Sequence, residues 1–132
     1  MSADLTYLDS SALVKLVVEE PESRALLDFL RGQGGRVSAA LARTEVQRAA
    51  RRVSPAHLVA ARRVLAGCHL LDLDGRLLDR AGELAPPAVR SLDAIHLATA
   101  LSLGDDLDAF VTYDPRQADA AREWCLAVVA PS

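Results

Sequence analysis

The chain has 132 residues, of which 51% are hydrophobic and 25% charged, with 15 basic and 18 acidic side chains and a net charge of −3. A chain of this size can bury a core without a metal or disulfide staple, its balance excludes disordered and fibrous classes, and its sign argues against a surface built throughout for nucleic acid. No apolar run approaches the roughly 20 residues of a membrane span, and the start carries Asp4 without the basic region or cleavage site of a signal peptide, so a cytoplasmic protein is expected.

In chain order, the first strand is expected at 5–8, "LTYL", followed by Asp9 and an apolar helix over 11–20. Ser10 and Ser11 are expected to start that helix and so release Asp9 from capping. A second helix covers 22–32, and the "GQGG" loop leads into a short second strand at 36–38. Helices over 40–52 and 54–67 follow, the later one opened by Ser54 before Pro55 and closed by Gly67. A third strand at 69–73, a helix over 75–85, an "APP" loop and a helix from Ser91 to Gly104 come next. A fourth strand at 109–113, a helix over 115–124 and a fifth strand at 126–130 complete the chain. Strands alternating with helices imply right-handed crossovers. The expected fold is a single α/β domain over 1–132, a three-layer α/β/α arrangement around a mostly parallel sheet of about five strands.

Ligands of such sheets bind beyond the carboxyl ends of the strands. Asp9 closes the first strand and Asp114, in "FVTYDPR", closes the fourth. Asp93 falls in the first turn of "SLDAIHLATALSLG", and Glu45 lies on the helix after the second strand. Each has a simpler reading. Asp9 and Asp114 can cap helices, Asp93 can complement a helix dipole, and Glu45 can pair with Arg48. Taken together, carboxylates gathered without a histidine or cysteine pattern make a hard-oxygen site, whose like charges call for Mg²⁺ or Mn²⁺. Such a cation polarises a phosphoryl oxygen and activates water, which is the chemistry of phosphodiester hydrolysis.

The stretches "YLDSSALVKL", "RTEVQRA", "RSLDAIHLATAL" and "FVTYDPR" resemble the PIN domain family and, within it, the VapC-type toxins of bacterial toxin–antitoxin pairs. The resemblance spans 5–118 in the family's order. It implies a three-layer α/β/α domain that hydrolyses RNA with Mg²⁺ or Mn²⁺, is held inactive by a cognate antitoxin and is usually a homodimer. It also implies Asp9, Glu45, Asp93 and Asp114 as metal-binding acids, with Ser10 and Thr112 as auxiliary polar groups.

Six arginines lie between 43 and 63, namely Arg43, Arg48, Arg51, Arg52, Arg62 and Arg63, against one acid, Glu45. Beside a metal site they suit a phosphate-tracking surface or a dock for an acidic antitoxin tail, Arg43, Arg48, Arg51 and Arg52 above all. Aromatic residues make up 4% of the chain, so RNA recognition is expected to rest on shape and backbone. His96 is expected to be a hydrogen-bonded core histidine, Trp124 and Phe29 to be core, and Cys68 and Cys125 to be buried thiols. The helices at 11–20 and 22–32 carry more apolar surface than a small sheet covers, which points to a groove or dimer interface. Two other readings compete with a nuclease. An aspartyl-phosphate enzyme fails because "DSSAL" lacks a second aspartate and Lys15 is the only lysine. A non-catalytic RNA- or protein-binding module with the same fold remains.

Overall fold

The computed structural model describes residues 4–132. Five strands, β1 (Leu5–Leu8), β2 (Gly35–Ala39), β3 (His69–Leu71), β4 (Leu107–Val111) and β5 (Val128–Val129), form one sheet in the order β3-β2-β1-β4-β5. Every neighbouring pair is parallel. Seven α-helices connect them: α1 (Ser10–Val17), α2 (Ser23–Arg31), α3 (Ala42–Val53), α4 (His57–Ala66), α5 (Gly75–Glu83), α6 (Ser91–Leu101) and α7 (Pro115–Glu123). The alternation read from the sequence is therefore the fold, a three-layer α/β architecture.

Side chains of adjacent strand residues point to opposite faces, and this divides the core. Leu8 and Val111 face α1 to α4, packing with Leu13, Leu26, Val46 and Leu65. Tyr7 and Phe110 face α6 and α7, packing with Leu97, Ala100, Ala120 and Ala121. Their rings stack with centroids 5.3 Å apart. A smaller cluster joins α5 to α6 through Leu77, Ala81, Ala94 and Ala98. Each large aliphatic or aromatic side chain buried this way contributes about 1.5–3 kcal/mol.

Several boundaries differ from expectation. β4 begins two residues early because Leu107 pairs with Leu5, and it ends at Val111, so Asp114 stands three residues past the strand instead of closing it. The outer strands β3 and β5, each with one neighbour in the sheet, shrink to three and two residues. Ser54 ends α3, its N–H donating to the Ala50 carbonyl, and α4 starts at His57. α6 stops at Leu101, and Gly104, at φ 56°, opens a short 3₁₀ turn. At the entry to β2 the chains approach so closely that a Cβ on Gly34 would lie 1.9 Å from the Asp4 carbonyl oxygen.

Trp124 is 39% exposed, not core: α7 has ended there, and the indole lies against the loop at 85, donating its N–H to the Ala85 carbonyl at 2.7 Å. Phe29 is partly buried. Of the two thiols, Cys68 is partly buried and Cys125 is exposed, on a residue with φ 63°. Much of the apolar surface of α1 and α2 is covered from within, with Leu13, Val17, Leu26 and Leu30 all in the core. What remains open is a cleft of about 380 Å³ lined by Lys15, Leu16, Leu27 and Val64. Among the described residues no helix is long and apolar enough to cross a membrane.

Candidate functional site

In the order β3-β2-β1-β4-β5 the chain leaves β1 for β2 on one side and later returns to β4 on the other. The crevice beyond the carboxyl ends of β1 and β4 is therefore the topological switch point where an open parallel sheet binds ligands. Asp9 lies there. Its N–H still pairs with the Val111 carbonyl at 3.2 Å, and the residue is 4% exposed.

Asp9 is not released from capping, because it is the N-cap of α1. Its Oδ1 accepts the Ala12 N–H at 3.1 Å and the Ser11 hydroxyl at 2.6 Å, and its Oδ2 accepts the Thr112 hydroxyl at 2.5 Å. A carboxylate offers about four acceptor positions, so these three leave one on Oδ2. Burial pushes the Asp9 carboxyl above its ordinary range, against the pull of those hydroxyl donors. Thr112, itself buried, also accepts the Asp114 N–H at 3.2 Å. Ser11, which neither the residue pattern nor the family resemblance singles out, serves both strands: it donates to Asp9 and accepts the Tyr113 N–H at 2.9 Å. The doublet "DSS" is its signal, since consecutive residues at a helix start diverge by about 100° and only one can turn back to the cap.

The other serine turns to Glu45. Ser10 donates its hydroxyl to Glu45 Oε1, and His96 Nε2 lies 2.8 Å from the same oxygen. Glu45 stands in the first turn of α3, its side chain 24% exposed. Its partner is thus His96 and not Arg48, which is exposed. His96 is the buried, hydrogen-bonded histidine expected, with Tyr7 Oη 2.7 Å from its Nδ1.

Asp93 is half-buried in the first turn of α6, and its carbonyl accepts the Gln117 amide at 3.1 Å. Burial raises its carboxyl above the ordinary range, and the charges of Asp114 and Asp9 raise it further. Asp114 caps α7, accepting the Arg116 N–H at 2.9 Å. Carried by the end of β1, α6 and the β4–α7 turn, Asp9, Asp93 and Asp114 act on one another's charge, and Glu45 on α3 is joined to them through Ser10 and His96.

Their chemistry suits a hard divalent cation. The donors are carboxylate oxygens, and the Asp93 carboxyl is raised by burial first and then by the charges of Asp114 and Asp9, the part that a dication would offset. Among the described residues no three His, Cys, Asp or Glu side chains stand ready as a coordination group. A hollow of about 220 Å³ adjoins Asp93 and is lined by Arg90, Arg116 and Gln117. Sequence reasoning passes over these arginines, although each belongs to a motif that carries an acid, "RSLD" and "DPR". The six arginines of α3 and α4 are exposed; ion pairs among the described residues lie elsewhere, at Lys15, Arg24, Arg31 and Arg122. Lys15 pairs with Glu20 and Glu22, and so does not serve Asp9.

The PIN domain family matches residues 6–123. Ribonuclease VapC46 of Mycobacterium tuberculosis is 56% identical over 126 residues, covering 96% of this chain and 97% of the relative. Ribonuclease VapC35 of the same species is 47% identical over 131 residues, with coverage of 96% and 97%. Among solved structures, M. tuberculosis VapC20, described as a Sarcin-Ricin loop cleaving toxin, superposes with a TM-score of 0.78 at 16% identity, covering 96% of this chain and 99% of that one. VapBC2 from Rickettsia felis, bound to a DNA fragment from its promoter, superposes with a TM-score of 0.72 at 12% identity, covering 97% and 99%. At those identities the structures speak for the fold, while the relatives match nearly end to end. The chain belongs to the PIN domain family, alongside its VapC members.

Proposed function

We propose that this chain, acting as one nuclease domain over 1–132, is a divalent-metal-dependent endoribonuclease and the toxin of a toxin–antitoxin pair. The observation that carries the reading is that Asp9, Asp93 and Asp114 act on one another's charge beyond the β1 and β4 ends, with Glu45 bonded to Ser10 beside Asp9 and to His96. The names of the relatives, Ribonuclease VapC46 and VapC35, support the substrate class.

Asp9, Asp93 and Asp114 would hold Mg²⁺, with Mn²⁺ as substitute, and Glu45 would complete the set or orient the attacking water. When bound, the cation polarises the scissile phosphate and lowers the pKa of water. Ser11 and Thr112 fix the Asp9 carboxylate, and Ser10 fixes that of Glu45. Such prior fixing spares the reorganisation that would otherwise add to the barrier. Arg90 and Arg116 beside Asp93, with Arg43, Arg48, Arg51 and Arg52 on α3, attract the RNA backbone. Aromatic residues are few and Tyr7 and Phe110 are buried, so recognition rests mainly on shape and phosphates. A cognate antitoxin, a homodimeric assembly and a cytoplasmic location complete the proposal.

Asp9→Asn tests it. Asparagine caps a helix as well as aspartate, so circular dichroism should show an intact fold while Mg²⁺-dependent cleavage of RNA falls by roughly 100-fold or more. Undiminished cleavage would overturn the assignment. An intact wild-type protein with no saturable Mn²⁺ binding would favour the non-catalytic binding module instead.

A further inference from the structure

Tyr7, His96, Glu45 and Ser10 form a continuous hydrogen-bonded chain that the four-acid reading leaves unused. It runs from the buried face of the sheet to the acidic edge. Tyr7 Oη is 2.7 Å from His96 Nδ1, His96 Nε2 is 2.8 Å from Glu45 Oε1, and the Ser10 hydroxyl donates to that same oxygen. Ser10 Oγ also lies 3.2 Å from His96 Nε2. Tyr7 is fully buried, stacked on Phe110 and edge-on to the His96 ring at 5.8 Å, and His96 is 2% exposed.

The donors can be assigned in sequence. Glu45 as a carboxylate only accepts, so a proton on His96 Nε2 fills the 2.8 Å contact, while Tyr7 Oη holds the other ring nitrogen. The bonds to Glu45 from His96 and Ser10 therefore both point outward, to the acidic edge. Two donors occupy Oε1, which leaves Oε2 as the oxygen free for a ligand. The residues come from β1, α1, α3 and α6, so the chain locks a long, half-exposed side chain to both helical layers at once.

We propose that Tyr7 and His96 are positioning residues that fix the rotamer of Glu45 and reserve its second oxygen for the divalent cation. The purpose rests on the nuclease reading; the hydrogen-bond direction does not. The arrangement is the counterpart of the outer-shell groups that orient ligands at metal centres, whose loss typically costs about 10–100-fold in affinity or activity.

The test combines NMR with metal binding and kinetics on the full chain. Long-range ¹H–¹⁵N spectra of the metal-free protein should show a proton on His96 Nε2 that exchanges slowly and becomes fast in Glu45→Ala. An Nδ1–H tautomer, or an Nε2 proton unaffected by Glu45→Ala, would overturn the proposal. His96→Leu and Tyr7→Phe should remain folded, weaken Mn²⁺ binding roughly 10-fold and lower kcat with KM for RNA unchanged. His96→Gln keeps an N–H that reaches Glu45 and should restore most of both. A merely structural histidine predicts that Leu and Gln variants lose stability alike with Mn²⁺ affinity intact, and that outcome would overturn it as well. A wild-type protein that neither binds Mn²⁺ nor cleaves RNA would overturn the nuclease reading, and with it the purpose assigned to the chain, whatever the tautomer.

Discussion

On the β1 side of the acidic edge, Asp9 accepts two hydrogen bonds from the start of α1 and one from Thr112 beyond β4, and Glu45 is bonded by Ser10 of α1 and His96 of α6. On the β4 side, Asp114 accepts the N–H of Arg116 two residues on, and the Asp93 carboxyl is raised by burial and by the charges of Asp114 and Asp9. Among the described residues the first pair is tied across elements by side-chain hydrogen bonds, whereas the bond that the Asp114 carboxylate accepts is local. On the proposed nuclease reading the difference is a division of labour: a rigid half, tied by hydrogen bonds, would define where a cation sits, and a repulsive half, where acidic neighbours crowd Asp93, would favour its arrival.

The largest expected effect comes from breaking the rigid half. Thr112→Val is nearly isosteric yet removes the donor to Asp9 Oδ2 and the acceptor of the Asp114 N–H. Leaving such buried groups unpaired costs about 1–3 kcal/mol, to be read from urea unfolding midpoints, and cleavage should fall about 10-fold. Equal stability of the two proteins would show that Asp9 needs no anchoring by this hydroxyl.

The repulsive half makes a prediction of opposite sign. Because the folded-state pKa of Asp93 is raised, the folded chain holds that proton more tightly than the unfolded one. Stability of the metal-free protein should therefore decline as pH rises from the ordinary aspartate range through the raised value. Asp93→Asn should flatten that decline and raise the melting temperature at pH 7 in EDTA, and saturating Mg²⁺ should do the same for the wild type. A lower melting temperature for Asp93→Asn would remove the distinction between the halves.

The smallest effect lies outside both. Arg48→Ala and Arg51→Ala should raise KM for RNA with kcat unchanged, and each phosphate interaction removed should reduce the slope of log affinity against log salt by about 0.7. A change in kcat would place these side chains inside the chemistry and not along the approach to it.

Much of this organisation is legible in the chain before folding. The bounds of β1 follow from local pattern alone, since "LTYL" is short, apolar and bounded by Asp9. The start of β4 does not: it is set two residues earlier than the apolar run by pairing with β1, an interaction absent from local pattern. The four acids stand out because each sits in a distinctive stretch at a strand or helix end. The serines are harder to read. Ser11 serves Asp9 and Ser10 serves Glu45, and a doublet carries no sign of which hydroxyl turns back to the cap. Trp124 reads as core from its apolar character, whereas the helix that would carry it inward ends one residue earlier.

The sequence by itself determined the alternation of strands and helices and the identity of the acids at their ends, because periodicity, capping and turn chemistry act between residues a few positions apart. Only the tertiary structure decided that Asp9 both caps a helix and keeps an acceptor position free. It alone decided that Glu45 answers to His96 instead of Arg48, and that Tyr7 stands behind them both. Those contacts join residues 35 to 103 positions apart, and such pairings are set by strand order and helix packing, which local sequence does not encode.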